Sequence, residues 1–162
     1  MTKTDDIVLQ LERTLDSYIK SFFPFEYDNE TYHLMDIYFA SPWRRCDLCG
    51  NHWVYEVSVI KSDSGKLMHI GTMCLDGITN RDTTRWVKNF RSKIENIRNN
   101  RKLIDALALL LSAYREDELS LRIEKEDLRT VEECYMHMCN GYNLSGNQEQ
   151  LVLDYINRFL IA

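Results

Sequence analysis

Cys46, Cys49 and Cys74 are the residues whose type and spacing point most directly to chemistry. They lie in the stretch CDLCGNHWVYEVSVIKSDSGKLMHIGTMC, residues 46–74. A Cys-x2-Cys pair presents two sulfurs from one tight turn, and Gly50 lets the backbone bend so that amides face the thiolates. A hairpin-length return then brings the third cysteine back to the pair. This spacing suits a tetrahedral ion held by thiolates and imidazole, Zn²⁺ above all. His52, three residues past Cys49, is the foremost candidate for the fourth ligand. His69, Asp76 or a group from the C-terminal helices are the alternatives. Three protein ligands and a water would make a site of the catalytic type, but no carboxylate stands at a recognisable spacing to serve as its general base.

Cys134, His137 and Cys139 also have ligand chemistry. They fall on a predicted helix, where apolar neighbours make Cys134 a core residue. An odd count of five cysteines does not suit a disulfide framework. No apolar run approaches the ~20 residues that span a bilayer, and the N-terminus MTKTDDIVLQ is neither a signal nor a transit peptide. The expected location is therefore the cytoplasm, with the cysteines as thiols or thiolates and no membrane partner.

Hydrophobic residues make up 44% of the 162-residue chain and charged residues 28%, enough for a core that does not depend on the metal. The net charge of −5 disfavours a general nucleic-acid coat, yet it conceals blocks of opposite sign. Residues 1–36 carry eight acidic and three basic side chains, residues 81–102 two acidic and eight basic, and residues 115–133 eight acidic and four basic.

These groups must be positioned by the surrounding elements. Ile7, Leu11, Leu15, Tyr18 and Phe22 fall on one face of a helix over 4–22, with Thr4 as its N-cap and Pro24 beyond its end. Thr31–Phe39 forms a strand whose apolar residues do not alternate cleanly, and Ser41-Pro42 breaks the run. Trp53–Ile60 alternates well, SDSG at 62–65 turns, and Lys66–Gly71 returns. Helical spacing then runs from Asp82 to Tyr114, as one helix or two with a break at Asn99-Asn100. Its second half, LIDALALLL, is apolar nearly all round. A helix over about Leu121–Met138 and a last helix opened by a Ser145–Gln148 capping box complete the chain. The expected fold is α+β and mostly helical: a small antiparallel sheet with a zinc-knuckle hairpin, then a C-terminal helical bundle. It is expected as one domain, 1–162, with an N-terminal helix (1–24), a zinc-binding β module (25–80) and a helical region (81–162).

CDLCG, the hairpin with SG in its turn, and HIGTMC resemble the C-x2-C-G…TG…VG-x2-C pattern of small zinc-binding proteins of phages, plasmids and archaeal mobile elements. WVKNFRSKIENIRNNRKLIDAL and LSGNQEQLVLDYINRF are similar to the helical tails that follow that pattern. The resemblance spans roughly residues 46–160 and implies Cys46, Cys49 and Cys74 as metal ligands. Some members have a histidine directly after the glycine; here Asn51 intervenes and His52 is shifted by one. The resemblance implies a fold more than a function.

Two functions fit these observations. One is a non-enzymatic zinc module that binds nucleic acid through the basic helix after the hairpin, with Arg85, Lys88, Arg91, Lys93, Arg98 and Arg101 at phosphates and Trp53 or Trp86 at bases. The other is a protein-interaction or inhibitor module of a mobile element or virus, with structural zinc and contact surfaces at acidic residues 28–36 and 116–127. No nucleotide-binding, hydrolase, metalloprotease or deaminase motif occurs, so neither an enzyme nor a small-molecule substrate is expected.

Overall fold

Strand alternation in the first half of the chain builds a four-stranded antiparallel meander in the order β1-β2-β3-β4: β1 (Phe25–Tyr27), β2 (Glu30–Arg44), β3 (Val54–Ser62) and β4 (Leu67–Gly71). The computed structural model describes residues 2–115 and 124–161. Helices α1 (Lys3–Ser21), α2 (Thr72–Thr79), α3 (Thr83–Asn99), α4 (Arg101–Arg115), α5 (Lys125–Cys139) and α6 (Gly146–Ile156) accompany the sheet, and a π-helical turn over Asn157–Ile161 follows α6. Helix accounts for 59% of the described residues, so the class is α+β with helix predominating. Two compact units emerge, one from Leu11–Phe90 and one from Met1–Gln10 with Arg91–Ala162; α1 and α3 contribute residues to both.

The Leu11–Phe90 unit holds the sheet. Tyr32, Leu34, Ile37, Ile60, Met68 and Ile70 turn inward and meet Leu75 of α2 and Val87 of α3, with Leu15, Tyr18, Ile19 and Phe22 of α1 packed against them. The uneven alternation in β2 has a local cause. The pairing steps from Leu34↔Ile60 to Asp36↔Val59, so Met35 is an extra residue, a β-bulge that returns Ile37 to the face of Leu34. Ser41-Pro42 does not end the strand, as its composition led one to expect. The register shifts again between Phe39↔Glu56 and Arg44↔Val54, and this irregularity within the strand takes up the proline, where no ladder N–H is needed. The β1–β2 turn places Asp28 and Asn29 at φ 51° and 61°, the left-handed pair of a two-residue hairpin, and β1 is too short to show in the sequence pattern.

In the other unit, Ile94, Ile97, Ile104, Leu107, Leu110, Leu111, Val131, Cys134, Met138, Val152, Tyr155 and Ile156 are buried. The break at Asn99-Asn100 is real, and α3 and α4 are separate helices. Asn96 donates to the Gly141 carbonyl (2.8 Å) and Asn100 to Asn143 (2.9 Å), fixing the α5–α6 connection there. Although LIDALALLL is apolar nearly all round, Leu109 is 66% exposed. The N-cap of α1 is Thr2, not Thr4. Thr2 Oγ1 accepts from the Asp5 N–H and Asp5 Oδ2 accepts from the Thr2 N–H, while Thr4 is buried with its N–H and hydroxyl on Asp105. The Ser145–Gln148 capping box forms as expected, with both reciprocal bonds present. Residues 121–123 of the helix expected at 121–138 lie outside the described residues; α5 begins at Lys125.

Candidate metal centre

The knuckle is built by its own backbone. Gly50 N–H donates to the Cys46 carbonyl (3.0 Å) and Cys46 N–H to the Asn51 carbonyl (2.8 Å), closing the Cys-x2-Cys turn, with Gly50 at φ +77°. Two bonds tie this turn to β4: Asp47 N–H to the His69 carbonyl (2.9 Å), and His69 N–H to Asp47 Oδ2 (2.7 Å). Gly71 ends β4, and its N–H points at Cys46 Sγ (3.4 Å). The chain then enters α2, so Cys74 sits in the first turn of a helix. The returning strand ends at Gly71 as the sequence pattern predicts, but that pattern announces no helix over Thr72–Thr79.

These elements bring the Sγ atoms of Cys46, Cys49 and Cys74 within 4.8 Å of one another. Thiolates at ~2.3 Å from a tetrahedral zinc ion stand about 3.8 Å apart; Cys46 Sγ and Cys74 Sγ are 3.7 Å apart. The spacing and the soft donors both fit a thiophilic ion. Cys46 is buried, Cys74 half-buried and Cys49 exposed. Among the described residues, no other such group of histidine, cysteine or acidic side chains forms.

The electrostatics also favour a cation at this point. Burial raises the Cys46 thiol, but backbone N–H groups of Cys49, Gly71 and Leu48 outweigh it and hold the thiol below its ordinary value. Cys74 is pushed up to about 12, first by burial and then by the neighbouring Cys49 and Cys46. Three sulfurs this close cannot all ionise without a compensating charge, and a divalent ion supplies it.

The other sequence candidates are placed as follows. His52 is exposed on the segment between the knuckle and β3, outside the group of three sulfurs. His69 Nδ1 is hydrogen-bonded to Tyr38 Oη at 3.0 Å. Asp76 caps α3, taking the N–H groups of Thr83 (2.7 Å) and Thr84 (2.9 Å). Cys134 is core, His137 stacks on Tyr142, and Cys139 approaches Tyr135.

Of the cations, Arg85, Lys88, Lys93 and Arg98 are exposed. Arg91 pairs with Glu95 (3.6 Å), and Arg101, the first residue of α4, pairs with Asp5 (2.9 Å) and Asp105 (3.8 Å). At ~100° per residue Lys93 projects about 160° from Arg91, so the six do not form one stripe. Trp86 is half-buried against the core, stacked between Tyr18 (4.0 Å, 9°) and Phe90 (5.4 Å, 10°). Trp53 is exposed and lines a cleft of about 260 Å³ together with the three cysteines, Tyr55, Met73 and Lys88. Trp43, on this exposed aromatic surface, was not singled out by the sequence; its offset after Ser41-Pro42 hides it from strand periodicity. No helix of the described residues is long and apolar enough to cross a membrane. Comparison with protein-family models, curated proteins and solved structures yields no match.

Proposed function

We propose that this chain is a non-enzymatic zinc-binding protein, of the kind carried by phages, plasmids and archaeal mobile elements, that contacts nucleic acid beside its metal knuckle. The observation that carries the metal half is the trio of sulfurs within 4.8 Å, with the Gly71 amide turned to Cys46. Zinc is the ion best matched to a thiolate-rich tetrahedron, and exposed His52 is the imidazole nearest in sequence to complete it. The metal then locks the knuckle, the end of β4 and the start of α2 into one rigid corner. The nucleic-acid half is supported by the free exposure of Arg85 and Lys88 at the start of α3, with Lys93 and Arg98 further along. Arg91 and Arg101 are secondary contributors because acidic neighbours already hold them.

A titration of the zinc-loaded chain against DNA and RNA at low and moderate salt tests this reading. Three or four phosphate contacts predict a log–log salt slope of about −2 to −4. Lys88→Glu with Arg85→Glu should weaken binding at least tenfold. Binding indifferent to salt and to these charge reversals would contradict the phosphate contacts.

The alternative is a protein-interaction or inhibitor module with a structural zinc. It is favoured by the exposure of Glu26, Asp28 and Asp36 along the β1–β2 edge of the sheet. The second acidic surface, expected over 116–127, lies mostly outside the described residues.

A further inference from the structure

Large apolar side chains are left in water beside the knuckle. Trp53 is 63% exposed, Trp43 44%, Tyr55 43% and Met73 73%. Trp43 and Trp53 lie 4.7 Å apart with planes tilted by 52°, and Trp43 meets Tyr55 edge-on at 6.1 Å. They are held there by specific backbone devices. The irregularity in β2 that takes up Pro42 brings Trp43 alongside, and the Trp53 N–H is anchored on Asn51 Oδ1 (3.1 Å), in the segment that closes the knuckle. Trp86, by contrast, packs half-buried against the core of this unit, whereas Trp43 and Trp53 are not among the residues packed on that core.

Charge decides what these rings face. Lys88 lines the same cleft as Trp53, Tyr55 and Met73, and Arg85 stands exposed one turn before it on α3. On the knuckle side Arg45 is exposed, with its guanidinium next to Gly50. Exposed rings flanked by cations attract a ligand that is flat, π-rich and anionic at its periphery. The cleft, about 260 Å³ counting the space at its three cysteines, is too small to enclose a drug-sized ligand, so a base would rest on the exposed ring faces beside the metal centre.

We infer that Trp43, Trp53 and Tyr55 form a stacking platform for the unpaired bases of single-stranded nucleic acid, with the strand's phosphates drawn to Arg45, Arg85 and Lys88. Every base offers a π face, so the platform is tolerant of sequence; bases in a duplex are stacked on each other and cannot reach it. This inference rests on the nucleic-acid reading above and sharpens it to one class of partner.

The test uses the zinc-loaded full chain, an oligothymidylate, and a DNA duplex of the same length, followed by tryptophan fluorescence and by anisotropy of a labelled strand. The single strand should bind at least tenfold more tightly than the duplex and quench tryptophan emission. Trp53→Ala should weaken single-strand binding about tenfold, and Trp53→Phe should restore part of it, with zinc content and circular dichroism unchanged. Equal affinity for the duplex, or single-strand binding unmoved by Trp53→Ala and Trp43→Ala, would overturn the platform while sparing the nucleic-acid function. No binding to either nucleic acid would overturn both and direct the search to a protein partner.

Discussion

Cys46, buried and facing three amide donors, differs in kind from Cys134, also buried but in an apolar core that raises its thiol. Sequence alone ranks the two by spacing; the structure separates them by what faces the sulfur. Cys134→Ser should therefore leave bound metal unchanged. His52→Ala should retain one metal per chain at lower affinity, because three thiolates persist, and a cobalt-loaded sample should keep its sulfur-to-metal charge-transfer band. Protons compete with the metal for all three sulfurs, so affinity falls as pH falls, read as metal release to a chromogenic chelator. The sign reverses at Tyr155, in the other unit. Burial, then its hydrogen bond to Asp127, pushes that phenol up to about 12. A raised folded pKa means stabilisation present below the ordinary phenol value of ~10 and lost as pH climbs towards about 12. Denaturant unfolding between those limits should lose stability with rising pH, less steeply in Tyr155→Phe.

At the scale of elements, the short α2 both positions a candidate ligand and supports its neighbour. It carries Cys74 in its first turn, and Asp76, two residues further along, caps α3. Asp76→Ala strands two N–H groups of that helix and should cost about 1–2 kcal/mol, seen as a lowered melting temperature with zinc still bound. Gly141 closes α5 at φ +84°, and a Cβ there would fall 2.7 Å from Lys93 Cβ and 2.8 Å from its Cα. Gly141→Ala is expected to cost about 2 kcal/mol or more. Regular periodicity made α3, α4, the β3–β4 hairpin and the Ser145 cap legible in the sequence. The elements that went unread are those where a local device interrupts the period. Met35 bulges and shifts the inward set from Tyr32 and Leu34 to Ile37, the irregularity at Ser41-Pro42 shifts the register of β2 without ending it, and α2 is too short to show a repeat. Thr2 and Thr4 fit the same capping rule in sequence, and only their tertiary and local partners, Asp105 for Thr4 and Asp5 for Thr2, tell them apart.

For the whole molecule, the division into two units separates the roles. The Leu11–Phe90 unit contains the sulfurs, the exposed aromatic cluster and the first cations of α3, whereas the other is a helical unit with its own core. Metal removal should accordingly loosen the knuckle corner and leave the helical unit folded, with most of the far-ultraviolet helical signal retained after chelation. The three-cysteine site was legible because thiolate spacing is dictated by coordination geometry. The proposed nucleic-acid surface is not legible in the same way. A block of basic residues along a helix carries no record of which side chains are already paired, and Arg91 and Arg101 are. The central claim is that Cys46, Cys49 and Cys74 hold one zinc ion, and native mass spectrometry of the intact chain beside Cys46→Ser and Cys74→Ser tests it most directly. The account predicts the added mass of one zinc per chain, lost in both variants. An intact chain that takes up no metal when zinc is supplied, or variants that keep it, would contradict the site.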